Sequence, residues 1–340
     1  MLPPLAELLG TARIVALPLI TRFRGIDTRE ALLLEGPEGW TEFAPFAEYD
    51  DAESVAWLRA AIDFGWTPTP ALLRESIPVN ASTVPAIDAE LVADVLERFP
   101  GCRTAKVKVA APGQTLAEDV ARVRAVRRVL GPEGRIRVDA NGLWNLDEAE
   151  HALNALGEFD LEYVEQPCAS IEELAEIRRR SADYLGIPVA ADESVRRADD
   201  PLLVATTGSA DILVIKAAPL GGIHVALDLV EQAGLPVVVS SALDTSVGIA
   251  MGAYLAAAIP GLEFDCGLGT ASLLAADVTR EPLLPVDGRI PVRRVVPDAD
   301  LLDRYAASAE RSDWWLARLT RCYALLAAEP AATPEAPLAG

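Results

Sequence analysis

Histidine occurs only twice in the 340 residues, cysteine four times, and 30 basic residues face 51 acidic ones. Each shortage excludes something. A formal net charge of -21 argues against a nucleic-acid surface, which needs a positive face. It leaves room for an anionic ligand, because a few lysines and a divalent cation inside a cleft reverse the local field. Cys102, Cys168, Cys266 and Cys322 lie 66, 98 and 56 residues apart, so the chain has no CxxC pair and no zinc-ligand spacing. They read as reduced core or near-core thiols. His151 and His224 sit in helical patterns and read as surface or packing residues. The amino-terminal stretch "MLPPLAELLGTARIVALPLI" lacks a basic leader and carries Glu7 and Arg13, which suits neither a signal peptide nor a membrane span. A cytoplasmic protein with no membrane partner is expected. Its oligomeric state is not legible, because a helix face buried in a partner has the same pattern as one buried in the core.

What the chain has is apolar content, at 51%, and a beat. From residue 76, eight short β-branched runs alternate with amphipathic segments: 76–82, 105–110, 135–141, 161–167, 187–194, 211–217, 235–243 and 262–267. Seven helices are expected between them, among them "TLAEDVARVRAVRRVL", with Thr115 and Glu118 in capping-box spacing, and a weaker "ADDPLLVATTG". Alternation of this length predicts a parallel sheet with right-handed crossovers. An open doubly wound sheet is the rival of a closed barrel. No GxGxxG follows an early strand, and polar residues gather at nearly every strand's carboxyl end, which favours the barrel. Residues 1–75 and 284–329 break the beat and are expected to form one smaller α+β unit against a barrel of residues 76–283. The Pro- and Ala-rich tail, 330–340, is expected to be disordered.

In a parallel barrel the carboxyl ends of the strands form the working face. Those ends present Lys106 and Lys108, then Asp139, Glu165 and Asp192, then Lys216. Taken singly, each acid reads as a solvated strand end. Spacings of 26 and 27 residues, one acid per βα unit, instead predict converging carboxylates. Convergence is costly without a cation, and an all-oxygen set suits Mg²⁺ better than zinc. Period-2 alternation turns Lys106 and Lys108 inward together, where desolvation and neighbouring positive charge lower a lysine's pKa toward use as a base. Lys216, four strands away in a ring of eight, would face Lys108 across the barrel. A divalent ion on a substrate carboxylate stabilises the enediolate left when the adjacent carbon loses its proton.

The motifs "KVKV", "RVDANGLW", "VEQP", "ADES", "VIKAAPLGG" and "SSALDTSVG", in that order, resemble the muconate-lactonising branch of the enolase superfamily. A lysine base with Mg²⁺ is that superfamily's known solution. Within the branch, "TRFRGIDTREALLLEGPEGWTEFAPFAEY" and "SSALDTSVG" most resemble the o-succinylbenzoate synthases of actinobacterial type. The resemblance implies a modified TIM-like (β/α)7β barrel with an α+β cap built from both chain ends. It implies Asp139, Glu165 and Asp192 as Mg²⁺ ligands, with Mn²⁺ as a substitute. It also implies Lys108 as base, Lys216 as the enediolate-stabilising cation, and Lys106, Arg137 and Asn141 in support.

The implied reaction is a syn dehydration of 2-succinyl-6-hydroxy-2,4-cyclohexadiene-1-carboxylate to o-succinylbenzoate, in menaquinone biosynthesis. Racemisation of N-succinyl amino acids is the alternative, or another epimerase or cycloisomerase of the branch. Ser240, Ser241, Leu243, Asp265 and Gly267 are expected to line the pocket, and Arg22 and Arg24, on the loop "ITRFRGID", to meet the succinyl carboxylate. Glu193 is expected to point away from the metal. The 75 residues before the barrel are few for this family's amino-terminal cap. Two further features have plain readings: Gly221 and Gly222 permit a tight turn at a helix start, and Trp314 and Trp315 anchor packing.

Overall fold

In the computed structural model, which describes residues 2–23, 25–196 and 200–329, a short helix leads into an antiparallel meander. Its strands are β1 (Arg13–Phe23), β2 (Ile26–Gly36) and β3 (Gly39–Phe43). Residues 31–34 of β2 are all fully buried, because helices cover this sheet. One is Asp51–Trp66, capped by the Asp50 carboxylate. The second comes from the far end of the chain: Ala309–Ala328 returns to the cap, where buried Arg318 donates to Phe46 O, Tyr49 O and Ser54 Oγ. Trp315, also buried, donates to Glu30 on β2. The carboxyl-terminal helix thus packs against the helix and sheet of the cap.

The chain enters the barrel through β4 (Ser76–Pro78), which pairs antiparallel with β12 (Arg289–Pro291). Seven parallel strands follow in sequential order: β5 (Ala81–Val84), β6 (Thr104–Lys108), β7 (Arg135–Asp139), β8 (Leu161–Glu165), β9 (Val189–Ala191), β10 (Ile212–Ile215) and β11 (Val237–Val239). The ring closes through residues 266 and 267. Cys266 bridges Val79 on one side, and Gly267 bridges Ser240 on the other. The expected first strand is thus divided between β4 and β5, and the expected eighth is reduced to these closing bridges. The architecture is a (β/α)7β barrel with a smaller α+β cap.

Local signals explain the helices. Thr115 with Glu118, Asn145 with Glu148 and Ser170 with Glu173 form capping boxes at the starts of Leu116–Leu130, Leu146–Leu156 and Ile171–Tyr184. The weak expectation at 198–208 shrinks to one turn, Leu203–Thr206, and residues 197–199 lie outside the described residues. So does the tail, 330–340.

The helix Ser246–Ala258 is apolar all round because barrel and cap bury it together. A Cβ on its Gly248 would stand 2.6 Å from Glu42 Oε1 of β3, so only glycine permits this approach. A second dock involves Asp63, which accepts from the backbone of Ile223 and His224 and pairs with the His224 ring at 2.6 Å. The helix start at Gly221 and Gly222 therefore serves the cap. All four cysteines are free, and burial pushes the Cys168 and Cys266 thiols up to about 12.

Candidate active site

Alternation along β6 turns Lys106 and Lys108 into the barrel, and the parallel register sets Lys108 beside Asp139. Lys106 Nζ donates to Asp139 Oδ2 at 2.9 Å and to Glu165 Oε1 at 2.8 Å. Lys108 Nζ donates to Asp139 Oδ2 at 2.6 Å and also bonds Asn141 Oδ1. Beyond Glu165, Asp192 Oδ1 accepts from Lys216 Nζ and, at 3.1 Å, from Arg196 Nε. Asp139, Glu165 and Asp192 are each at most 3% exposed. The structure therefore brings together the six primary charged residues expected from the sequence.

Their electrostatics follow from burial and contact. Burial, reinforced by Asp139, pushes the Glu165 carboxyl up to about 7. Burial also works to raise Asp192, but Lys216 and Arg196 outweigh it and hold it at about 2. Asp139 is pulled below its ordinary range because Lys106 and Lys108 overcome its desolvation. Lys106 shows the reverse of the expected shift. Burial would lower it, yet the touching carboxylates Asp139 and Glu165 raise it well above the ordinary lysine value.

A chamber of about 60 Å³ opens above this cluster, walled by Phe46, Tyr49 and Trp57 of the cap and by the barrel's strand ends. Ser240, Ser241, Leu243 and Gly267 line it, as expected. A Cβ at 267 would stand 2.5 Å from Ser240 Oγ, so glycine lets the two strand ends meet without displacing that hydroxyl. Asn141, at a positive φ of 48°, links Lys108 to Glu193 Oε1.

Four expectations are corrected. Asp265 sits at the opposite end of the barrel, where it accepts from Thr104 Oγ1 and Arg135. The last barrel segment reaches the working face only at Gly267. Arg137 faces inward but one layer below the chamber, where it pairs with Glu162 and stacks on Tyr163. Arg22 is exposed and bonds Gly25 O within its own hairpin; Arg24 lies outside the described residues. Glu193, expected to point away, lines the chamber instead. β9 stops at Ala191 and a helical turn begins at Glu193, so strand alternation no longer applies. Arg196 and the cap aromatics were not singled out from sequence. For Phe46 and Tyr49 the signal is the stretch "FAPFAEY"; Trp57 and Arg196 lie outside it.

The donor set fits a hard divalent cation. Glu165 Oε2 and Glu193 Oε2 are buried without a partner, and every first-choice ligand is a carboxylate. Among the described residues no three acidic, histidine or cysteine side chains stand at ligating spacing. The reason is local: the Lys106 ammonium lies between Asp139 and Glu165, and Lys216 holds Asp192.

The profile of enolase C-terminal domain-like proteins matches residues 88–298, and that of enolase N-terminal domain-like proteins matches 14–65. The o-succinylbenzoate synthase of Mycobacterium marinum is 52% identical over 323 residues, covering 95% of this chain and 96% of that protein. That of Mycolicibacterium smegmatis is 52% identical over 325 residues, covering 95% and 98%. Among solved structures, muconate lactonizing enzyme from Pseudomonas putida aligns with a TM-score of 0.71 at 20% identity, over 87% of this chain and 98% of that one. The N-succinyl Arg/Lys racemase from Bacillus cereus gives 0.72 at 20% identity, over 88% and 98%. At such identities these structures speak for the fold. No helix among the described residues is long and apolar enough to cross a membrane.

Proposed function

Because the chain belongs to the enolase superfamily and matches o-succinylbenzoate synthases along nearly its whole length, we infer that it is an o-succinylbenzoate synthase, a lyase acting on a small carboxylate. The observation that supports the chemistry is the placing of Lys108 and Lys216 four strands apart around a chamber that Asp139 and Asp192 also line, with buried Glu165 tied to Asp139 through Lys106. In this reading Asp139, Glu165 and Asp192 hold Mg²⁺, or Mn²⁺ in its place. The ion supplies electrostatic stabilisation of charge that develops on the substrate's ring carboxylate.

Lys108 Nζ takes the proton alpha to that carboxylate, and the C–H electron pair moves into an enediolate. Lys216 stabilises this charge from the other wall of the barrel. The hydroxyl then leaves with the proton that Lys108 gained, as water, and the ring becomes aromatic. One lysine serving both steps makes the elimination syn. Lys106 keeps Asp139 and Glu165 apart and oriented, and Asn141 holds Lys108 in line.

The cap, residues 1–75 with 284–329, closes the chamber over a barrel of residues 76–283, and its aromatic wall excludes water. A cytoplasmic location belongs to the same proposal. The two lysines on opposite walls also suit exchange of the α-proton of N-succinyl amino acids as a side activity. Conversion of the cyclohexadiene substrate with Mg²⁺, and its loss with EDTA, tests the assignment. Absent dehydration with robust α-proton exchange would move the protein to the racemases.

A further inference from the structure

Arg29 lies on β2 of the cap, is 2% exposed, and touches neither the lysines nor the carboxylates of the floor. Its guanidinium nevertheless meets both walls of the chamber. Nε donates to Leu243 O at 3.0 Å, and Nη2 donates to Ala242 O at 3.5 Å and to Ala44 O. The guanidinium carbon also stacks 4.5 Å from the centre of the Phe46 ring. Ala242 and Leu243 form the barrel wall and Phe46 the cap wall, and all three line the chamber.

Leu243 is held at a φ of +64°, a conformation that a branched side chain rarely adopts and that persists only when its surroundings enforce it. The planar guanidinium fork braces this turn through the Leu243 and Ala242 carbonyls, beside the Ala242 N–H bond to Asp244, and a single ammonium could not reach the same set of acceptors. The buried carboxyls of Glu42 and Asp244 face it. On the far side, Arg318 fixes Phe46 and Tyr49 through their carbonyls.

We propose that Arg29 is a positioning residue that sets the separation of the Phe46 wall from the Leu243 wall and so governs how tightly substrate and product are gripped. This rests on the synthase reading. The lysines and carboxylates stand on other strands, so the effect falls on binding before chemistry.

The test is steady-state dehydration by wild type, Arg29→Lys and Arg29→Met, together with o-succinylbenzoate affinity by calorimetry and thermal unfolding. The expected result is a KM and a product Kd raised about tenfold or more in both variants, with a much smaller change in kcat. Arg29→Lys keeps a hydrogen-bond-donating cation beside the Glu42 and Asp244 carboxyls, so it gives a folded variant if Arg29→Met is lost. A merely structural role would leave fewer active molecules and lower apparent kcat at constant KM. Unchanged KM, kcat and Tm falling together at constant KM, or failure of both variants to fold would each overturn the proposal. Wild type without dehydration would overturn the synthase reading instead.

Discussion

Lys106 Nζ lies 2.8 Å from Glu165 Oε1, an ion pair that spans the intervening β7 and leaves Glu165 Oε2 with no partner. The ammonium thus neutralises carboxylates that a divalent cation would otherwise share. Replacing it with an apolar side chain strands Glu165 in the interior and leaves Asp139 to Lys108 alone. Breaking a buried pair in this way costs about 3–5 kcal/mol. In EDTA, Lys106→Met is therefore expected to unfold at clearly lower urea than wild type, and Mn²⁺ to recover more stability in the variant than in wild type. Equal urea midpoints in EDTA would sink this account of the pair.

Asp265 closes the amino-terminal end of the barrel with Thr104 and Arg135. Asp265→Ala should lower stability by about 1–3 kcal/mol, as expected when hydrogen-bonded partners are left bare. Because Asp265 is remote from the chamber, KM should stay near the wild-type value. A large rise in KM with unaltered stability would return Asp265 to the pocket.

Glu42 carries a pH signature. Burial, with the Asp244 charge adding to it, pushes its carboxyl up from 4.5 to about 8, against the opposing pull of Arg29. Between those values the folded protein holds a proton that the unfolded chain has released, so stability from this group falls as pH rises. Glu42→Gln cannot ionise and lacks that slope. Melting curves from about pH 5 to about pH 9 should show the variant gaining on wild type as pH rises. A constant or widening deficit would mean that Glu42 stays ionised throughout.

Much of this site is written in local pattern. Alternation on β6 turns Lys106 and Lys108 inward, one acid per βα unit marks Asp139, Glu165 and Asp192, and the three capping boxes mark helix starts. Pattern fails where an element ends. Glu193 enters the chamber because β9 has already given way to a helical turn, and Asp265 leaves it because the closing segment only reaches the working face two residues later. Arg29 meets Leu243 across 214 residues of chain, a contact with no local signature. The lysine shift departs from its expected direction for a related reason. Lys106 has two carboxylates at contact distance, and their attraction exceeds the effect of burial.

The most direct measurement is turnover of 2-succinyl-6-hydroxy-2,4-cyclohexadiene-1-carboxylate by Lys108→Ala, alongside its Mn²⁺ affinity. Loss of a positioned acid–base group predicts dehydration slower by about 10²–10⁴-fold. Mn²⁺ binding should persist, because Asp139, Glu165 and Asp192 remain. Dehydration near the wild-type rate in that variant would contradict the assignment of Lys108 as the base.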